Sequence, residues 1–163
     1  LLNEQEEPED KDLPSVAKLN GRIEYSDVMY RYAEDMPPAL NGFSMQIEPG
    51  QKVALVGRTG SGKSTVVALL QRFYDYSSGS IRLDGVELRE LNRFSVRKRI
   101  GVVQQDPFLF RGDLFKNITL GDPTISREQV MTALFQVNGY ALLNRPGGLN
   151  GVIEERGANL SLG

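Results

Sequence analysis

The sequence predicts a mixed α/β fold in which a small antiparallel sheet precedes a buried parallel strand and a helical region follows. Three observations carry this prediction. The apolar run Lys52–Val56 leads through a glycine-rich turn into a helix-like stretch at 64–73. Two strand-like segments, 23–32 and 39–47, come before that run, and helix-capping residues recur after residue 107. A strand that is apolar on both faces is typical of a parallel sheet, whereas two strands joined by a short turn are typical of an antiparallel pair.

Length and composition are those of an ordinary folded protein. The 163 residues suffice for one domain with a sizeable core, and 40% of them are hydrophobic and 25% charged. A net charge of −2 offers no basic footprint for nucleic acid. Cysteine and histidine are absent, which excludes disulfides, thiolate metal sites and a histidine general base. No apolar run approaches the roughly 20 residues of a membrane-spanning helix.

The first part of the chain is acidic and then strand-forming. Residues 3–12 have almost no apolar side chains, so we expect a solvated linker, with a flexible terminus of no function as the alternative. The turn between the two strand-like segments spans residues 33–38 and contains two prolines. Glu48–Gln51 is a tight turn that leads into the buried strand.

Residues 57–64, Gly-Arg-Thr-Gly-Ser-Gly-Lys-Ser, fit the phosphate-binding pattern Gly-x-x-x-x-Gly-Lys-[Ser/Thr], between the strand and helix that this motif requires. Glycines let the backbone approach an oxyanion, and the N–H groups of the loop and helix N-terminus attract it. Lys63 would reach the terminal phosphates and the Ser64 hydroxyl would ligate Mg²⁺. The sequence thus predicts a P-loop NTPase core, with a glycine-rich turn that caps an ordinary helix as the alternative. The residues assigned to the site are Gly57, Arg58, Thr59, Gly60, Ser61, Gly62, Lys63, Ser64 and Thr65.

Shorter elements follow the helix. We predict a strand at 80–83, a hairpin turn at Asp84-Gly85 and a short helix at 93–99 that is capped by Asn92. The apolar run 100–103 predicts a second buried strand, which proline stops soon afterwards.

The remaining segments have helical signals. Asp113 is a good N-cap for a helix at 114–120. Ser126 and Gln129 form a capping box that opens a helix ending near residue 136. Residues 140–143 predict a further helical turn, and a glycine-rich loop follows them.

Further segments accompany the phosphate-binding loop in a fixed order: Gly21–Tyr32, Arg72–Asp75, Leu83–Gly85, Gln105, Leu109-Phe110, Asn117-Ile118 and Leu160–Gly163. Together they resemble the nucleotide-binding domain of an exporter-type ABC transporter, of the multidrug or lipid kind, over the whole chain. The resemblance implies ATP and Mg²⁺ as ligands and an ATPase that drives transport. It also implies three parts: an acidic linker at 1–20 from an upstream membrane domain, an ATP-binding core at 21–106, and a helical subdomain at 107–163 that ends in the signature motif.

Two residues in the core receive roles from this resemblance. Tyr32 falls at the position of the aromatic residue that stacks on adenine, whereas core packing is the better interpretation of Tyr30. Gln105 falls at the Q-loop position, where the family's glutamine senses Mg²⁺ and the attacking water; a loop hydrogen bond is the alternative. The implied Mg²⁺ ligands are therefore Ser64 and Gln105.

The end of the chain resembles two further exporter motifs. Leu160, Ser161 and Gly163 match the start of the signature motif, which would contact ATP bound to a partner; for the serine, a helix N-cap is the alternative. The segment 155–157 resembles the X-loop, which touches the membrane domain, and a solvated charged turn is its alternative. The implied partners are the chain's own upstream transmembrane domain and a second nucleotide-binding domain in a head-to-tail homodimer or heterodimer. The implied location is the cytoplasmic face of the cell membrane.

The sequence also departs from the family pattern. Leu162 stands where the signature motif has glycine, Glu154 where the X-loop has glycine, and Asp113 where threonine is common. No segment up to Gly163 supplies the Walker B aspartate or the catalytic glutamate, and there is no histidine for the switch position. We therefore expect a fragment with an incomplete sheet, in which much of the parallel core is missing and apolar surface is exposed. We expect it to bind ATP weakly and not to hydrolyse it.

Other classes of protein fit the motifs less well. A soluble ABC-type ATPase of DNA repair or translation is disfavoured by the exporter-like segment 73–75 and by the lack of a basic patch. A GTPase would need an Asn-Lys-x-Asp motif, which is absent. A small-molecule kinase would share only the phosphate-binding loop. A binding module without catalysis stays open for this chain.

Overall fold

The computed structural model describes residues 10–105, 108–154 and 157–160. The chain divides into two compact units, Leu1–Val102 and Val103–Gly163. Among the described residues, no helix has the length and apolar character needed to cross a membrane.

The first unit is built on a four-stranded antiparallel sheet in the order β2-β1-β3-β4. Its strands are β1 (Ile23–Tyr30), β2 (Leu40–Ile47), β3 (Ser78–Leu83) and β4 (Val86–Glu87). In the central strand β1, Tyr25 lies opposite Met45 of β2 on one side and Ile81 of β3 on the other. The antiparallel pairing of the first two strands and the hairpin turn between β3 and β4 are both confirmed.

The hairpin residue Asp84 also holds the chain where it enters the sheet. Its carboxylate accepts hydrogen bonds from the backbone N–H groups of Asn20 (2.6 Å), Gly21 (3.0 Å) and Arg22 (2.9 Å). These contacts join residues more than 60 positions apart in the sequence, so they align the start of β1 with the end of β3.

The helices of the first unit are α1 (Lys63–Leu70), a 3₁₀ turn (Leu88–Glu90) and α2 (Arg93–Arg97). The α1 helix ends in a Schellman-type turn, in which the Phe73 N–H bonds to Ala68 O at 3.1 Å and Arg72 has φ 54°. The predicted cap of α2 is confirmed, because the Asn92 side chain accepts a hydrogen bond from the Ser95 N–H.

One face of α1 packs on the antiparallel sheet. Val66 and Leu69 are buried there, and the Tyr25 hydroxyl donates to the Val66 carbonyl at 2.9 Å. The shared core consists of Tyr25, Val28, Tyr30, Leu40, Val66, Leu69, Tyr76, Ile81, Leu83, Leu88, Leu91 and Val96. This core positions the N-terminus of α1, where the phosphate-binding loop ends.

Two predicted strands, 52–56 and 100–103, are absent, and both predictions of a buried parallel strand are wrong for this structure. Val56 is 91% exposed and Val103 is 98% exposed. A buried parallel strand needs neighbouring strands to take up its backbone hydrogen bonds and layers to cover both faces. Every strand pair among the described residues is antiparallel, and none of these pairs includes either segment.

The N-terminal segment is not uniformly solvated, contrary to the prediction for residues 3–12. Residues 3–9 lie outside the described part, but the Asp10 side chain is only 9% exposed. Its Oδ2 lies 3.1 Å from Arg72 Nη1 and 2.8 Å from Arg93 Nε. The hydrogen bond from the Arg93 side chain, reinforced by the charges of both arginines, holds the pKa of this carboxyl below its usual range despite burial.

The second unit is smaller and mainly helical. Its elements are β5 (Gly112–Asp113), α3 (Leu114–Thr119), α4 (Arg127–Gln136), 3₁₀ helices at Gly139–Asn144 and Gly148–Asn150, and β6 (Val152–Ile153). Its core consists of Leu114, Val130, Leu134, Leu149 and Ile153. Both predicted caps are confirmed: Asp113 accepts from the Lys116 N–H, and Ser126 and Gln129 form a reciprocal capping box.

We predict that Asp10→Ala destabilises the first unit strongly. Removing the carboxylate leaves two guanidinium groups buried together, and breaking such a pair costs about 3 kcal/mol of unfolding free energy. Equilibrium urea denaturation measures the difference.

Asp12→Ala is the matched control, because Asp12 is an exposed acid two residues away. A loss for Asp10→Ala no larger than that of this control would contradict the ion-pair interpretation.

Acid titration provides a second check. Because the folded pKa of Asp10 is lowered, its stabilisation is complete well above about pH 4 and is lost as the pH falls through the folded value. The difference between the unsubstituted chain and Asp10→Ala should therefore shrink on acidification.

Candidate functional site

The phosphate-binding loop lies between the exposed segment 52–56 and the N-terminus of α1. A turn closes its centre, where the Ser61 N–H bonds to Arg58 O at 3.1 Å. Gly62 is the N-cap of α1 with φ 84° and ψ 3°, a left-handed conformation that favours glycine. The first helical hydrogen bond runs from the Val66 N–H to Gly62 O at 3.0 Å. The N–H groups of Lys63, Ser64 and Thr65 precede this first bond and have no partner within the helix, which is the arrangement that binds anions at helix N-termini.

Gly62 also brings the loop into close contact with the sheet. A Cβ atom at this position would lie 2.5 Å from Ala39 O and 2.8 Å from Leu40 Cδ2, both of which are closer than real Cβ contacts. Only glycine lets the loop backbone approach the start of β2 this closely. The glycine of the motif therefore has two purposes, a left-handed turn and a close packing contact.

Lys63 folds back over its own loop. Its Nζ donates to Gly57 O at 2.9 Å, to Arg58 O at 2.8 Å and to Ser61 Oγ at 3.3 Å. The ammonium group thus lies inside the loop, hydrogen-bonded to two backbone carbonyls and a serine hydroxyl. Phosphate oxygens of a bound nucleotide can replace these acceptors. An ammonium carries three donors, so these contacts match its capacity.

The two hydroxyls that follow Lys63 differ in environment. Ser64 is exposed at the helix end, whereas Thr65 is buried and its Oγ1 lies 3.0 Å from the Tyr32 hydroxyl. No cluster of three or more acidic side chains suited to a metal occurs in the part of the chain that the structure describes. The exposed Ser64 hydroxyl fits Mg²⁺ as one oxygen ligand beside nucleotide phosphates and water, an arrangement that Mg²⁺ favours.

Tyr32 stands beside the loop in a cluster of three tyrosine rings. Its ring centroid lies 4.9 Å from that of Tyr30 and 5.2 Å from that of Tyr74, at interplanar angles of 81° and 85°. Tyr30 is buried, as predicted, and burial with the neighbouring Tyr32 and Tyr74 hydroxyls raises its pKa to about 12. Tyr32 and Thr65 are 33 positions apart in the sequence, and both were predicted to belong to one site. The structure places them next to each other.

Tyr74 was not assigned to the site by the sequence analysis. It entered there only as part of the segment Arg72–Asp75, a marker of family resemblance. No periodicity or motif marks its ring as a neighbour of Tyr32, because the contact joins the loop after β1 to the loop after α1, which are far apart in the sequence.

The other predicted site residues belong to the second unit. Gln105 is exposed in a loop of that unit, and its role toward Mg²⁺ and the attacking water stays a prediction. Leu160 packs against the core of the second unit, while Ser161 and Gly163 lie outside the described residues, as do the X-loop residues at 155–156.

Asn159 is a further residue that the sequence analysis did not single out. Its side chain donates to Val152 O at 2.8 Å and accepts from the Glu154 N–H at 3.1 Å. These bonds join the segment before the predicted X-loop to the residues that enter the predicted signature motif. A lone asparagine in a loop carries no sequence signal that would have revealed this role.

The sequence model of the ABC transporter family matches residues 40–163, which is well over half of the chain. The chain belongs to this family. The match includes the phosphate-binding loop, the Gln105 loop and the end of the chain, and it excludes the strand that carries Tyr30.

Relatives and a solved structure narrow this to the exporter type. The chain is 38% identical to the Bacillus subtilis "Probable multidrug resistance ABC transporter ATP-binding/permease protein", over 99% of this chain and 24% of that protein. It is 40% identical to an ATP-dependent lipid A-core flippase of Neisseria meningitidis, over 95% of this chain and 25% of the flippase. A bacterial Atm1-family ABC exporter solved with ATP bound superposes with a TM-score of 0.83 at 32% identity, over 93% of this chain and 27% of the exporter. This ABC chain therefore spans about a quarter of the length of these relatives.

The predicted fold class is confirmed by this superposition and by the family match. The ABC ATPase fold of this chain is mixed α/β with an antiparallel sheet, and its described part contains no parallel strand pair. The prediction of a resemblance to exporter-type ABC transporters is likewise confirmed.

We predict that Gly62→Ala destabilises the chain more than Gly85→Ala. Both glycines have φ 84°, so both substitutions introduce the same left-handed strain of about 1–2 kcal/mol. Nothing lies within 4 Å of an added Cβ at Gly85, whereas the Cβ at Gly62 would meet the Ala39 carbonyl. The additional overpacking should cost about 1–3 kcal/mol, which urea denaturation would detect. Equal losses for the two variants would show that the loop moves away from β2 without cost.

Proposed function

We propose that this chain binds ATP at the phosphate-binding loop and is part of the nucleotide-binding domain that drives transport by an exporter. One observation carries the proposal. The phosphate-binding loop holds the Lys63 ammonium, and the Thr65 hydroxyl just after it is hydrogen-bonded to the Tyr32 hydroxyl. The loop therefore lies next to the half-exposed aromatic ring of Tyr32. The two ends of a nucleoside triphosphate, a polyphosphate and a planar base, would therefore meet complementary groups near the N-terminus of α1.

Each residue of the loop has a physical task in this proposal. Backbone N–H groups from Gly60 to Thr65 would cradle the phosphates, and Lys63 would leave its loop carbonyls to contact the terminal phosphate oxygens. Ser64 would hold Mg²⁺, which when bound neutralises charge on the phosphates. Gln105 would contact Mg²⁺ and the attacking water, as the family's Q-loop glutamine does. Tyr32 would stack on adenine.

The surrounding parts follow the same family assignment. We assign residues 1–20 to a linker from an upstream membrane domain, 21–106 to the ATP-binding core and 107–163 to a helical subdomain that ends in the signature motif. Leu160, Ser161 and Gly163 would contact ATP held by a second nucleotide-binding domain in a head-to-tail dimer on the cytoplasmic face of the membrane. The named relatives are transporters, flippases and permeases, which favours this assignment over a soluble ATPase.

The chain should bind MgATP weakly and in preference to MgGTP. Calorimetric titration would measure both affinities. Lys63→Ala should reduce ATP affinity at least about tenfold, because a bond to a charged phosphate is worth roughly 1.5–3 kcal/mol. Tyr32→Ala should also reduce it about tenfold, from the loss of stacking.

Tyr140→Ala is the matched control for Tyr32→Ala, because both side chains are 51% exposed and Tyr140 lies in the second unit. ATP binding that survives Lys63→Ala unchanged would refute the phosphate site. A preference for ATP over GTP that survives Tyr32→Ala would refute only the stacking role.

The chain should not turn over ATP. Its sequence offers no Walker B aspartate followed by a catalytic glutamate, and it contains no histidine, so the groups that the family uses to activate the attacking water are missing from this chain. Phosphate release in the presence of MgATP should therefore stay at background. Sustained Mg²⁺-dependent hydrolysis that Lys63→Ala abolishes would overturn this part of the proposal.

A further inference from the structure

The tyrosine cluster of Tyr30, Tyr32 and Tyr74 draws its members from three places in the first unit. Tyr30 ends β1, Tyr32 lies two residues further on in the loop, and Tyr74 lies in the loop after α1. The Tyr30 and Tyr74 centroids are 5.6 Å apart, so all three rings are in mutual contact. The cluster therefore joins the loop after β1 to the loop after α1.

Tyr32 is held in this cluster from several directions. Tyr30 and Tyr74 both contact its ring edge-to-face, the geometry that aromatic pairs prefer, and Thr65 is bonded to its hydroxyl. Tyr30 is buried, so it is fixed by the core. Tyr74 is 45% exposed, so its ring is the outer support that limits how Tyr32 can turn.

The aromatic residues beside Tyr74 have other partners. The Phe73 ring lies under the Arg97 guanidinium, with 4.6 Å from Arg97 Cζ to the ring centroid. The Tyr76 ring is buried under Arg89, and its hydroxyl bonds to Glu87. Of these three aromatics in one short loop, Tyr74 is the one whose ring contacts Tyr32 in the described structure.

We propose that Tyr74 is a positioning residue for the nucleotide base. It holds the Tyr32 ring in the orientation in which the exposed face of that ring stacks on a purine, so the ring is already oriented before the nucleotide binds. This raises the affinity for a ligand with a base and leaves the affinity for a base-free polyphosphate unchanged. The inference rests on the proposed function, because it assumes that Tyr32 stacks on the base.

The experiment compares MgATP with magnesium tripolyphosphate as ligands of the unsubstituted chain and its variants, by calorimetry or by displacement of a fluorescent ATP analogue. Tyr74→Ala should weaken ATP binding about three- to tenfold, the size of one aromatic edge contact. Its affinity for tripolyphosphate should stay unchanged. Tyr74→Phe should retain ATP affinity, because the ring and not the hydroxyl makes the contact.

Phe73→Ala is the matched control. It removes an aromatic side chain of similar exposure from the neighbouring position, where the ring contacts Arg97 rather than Tyr32, and it should leave both affinities unchanged. If Tyr74→Ala weakens ATP and tripolyphosphate equally, the effect is damage to the fold and the inference is overturned.

A double-mutant cycle tests whether Tyr74 acts through Tyr32. In the Tyr32→Ala background, Tyr74→Ala should produce no further loss of ATP affinity. A full additional loss would mean that Tyr74 contacts the nucleotide directly, which contradicts the positioning role. If Tyr32→Ala alone weakens ATP binding and Tyr74→Ala does not, the inference fails while the proposed function stands. If Tyr32→Ala has no effect on ATP affinity, the stacking role and the inference fail together while the phosphate site stands. If the unsubstituted chain binds no ATP, the proposed function fails as well.

Discussion

The close approach of Gly62 to the Ala39 carbonyl is the contact on which the arrangement of the site depends. It sets the phosphate-binding loop directly against the first residue of β2, with no room for a side chain between them. Because the protein interior is close-packed and resists small displacements, this contact fixes the height of the loop above the sheet. The left-handed conformation that glycine supplies at the same residue then turns the chain into α1.

From that point, α1 connects the separate parts of the first unit. Its buried residues Val66 and Leu69 join the core of the antiparallel sheet. Near its N-terminus, Thr65 bonds to Tyr32, and just beyond its C-terminus Arg72 pairs with Asp10. A helix of eight residues is marginal in isolation, so its stability must come from these tertiary contacts. The phosphate-binding end therefore depends on packing at both ends of the helix and along its face.

Local and long-range features differed in how well the sequence predicted them. The caps at Asn92, Asp113 and Ser126 were predicted correctly, because each is a hydrogen bond between residues three positions apart. The segments 52–56 and 100–103 were predicted as buried strands from their apolar runs and their place along the chain. A strand also needs partners, and none of the described strands pairs with them. The pairing of Asp10 with Arg93 was missed. An acidic run gives no indication that one of its carboxylates is buried, or that it pairs with an arginine 83 positions further along the chain.

The sequence by itself determined the phosphate-binding loop, its chemistry, the local helix caps and the family. Each of these depends on residues that are close together in the chain or on motifs that follow a fixed order. Only the tertiary structure decided that Tyr32 meets Thr65 and that Tyr74 completes the tyrosine cluster. The physical reason is distance along the chain. A cap or a glycine turn is decided by its immediate neighbours, whereas contacts between residues 30 or more positions apart exist only after the core has brought α1 onto the sheet.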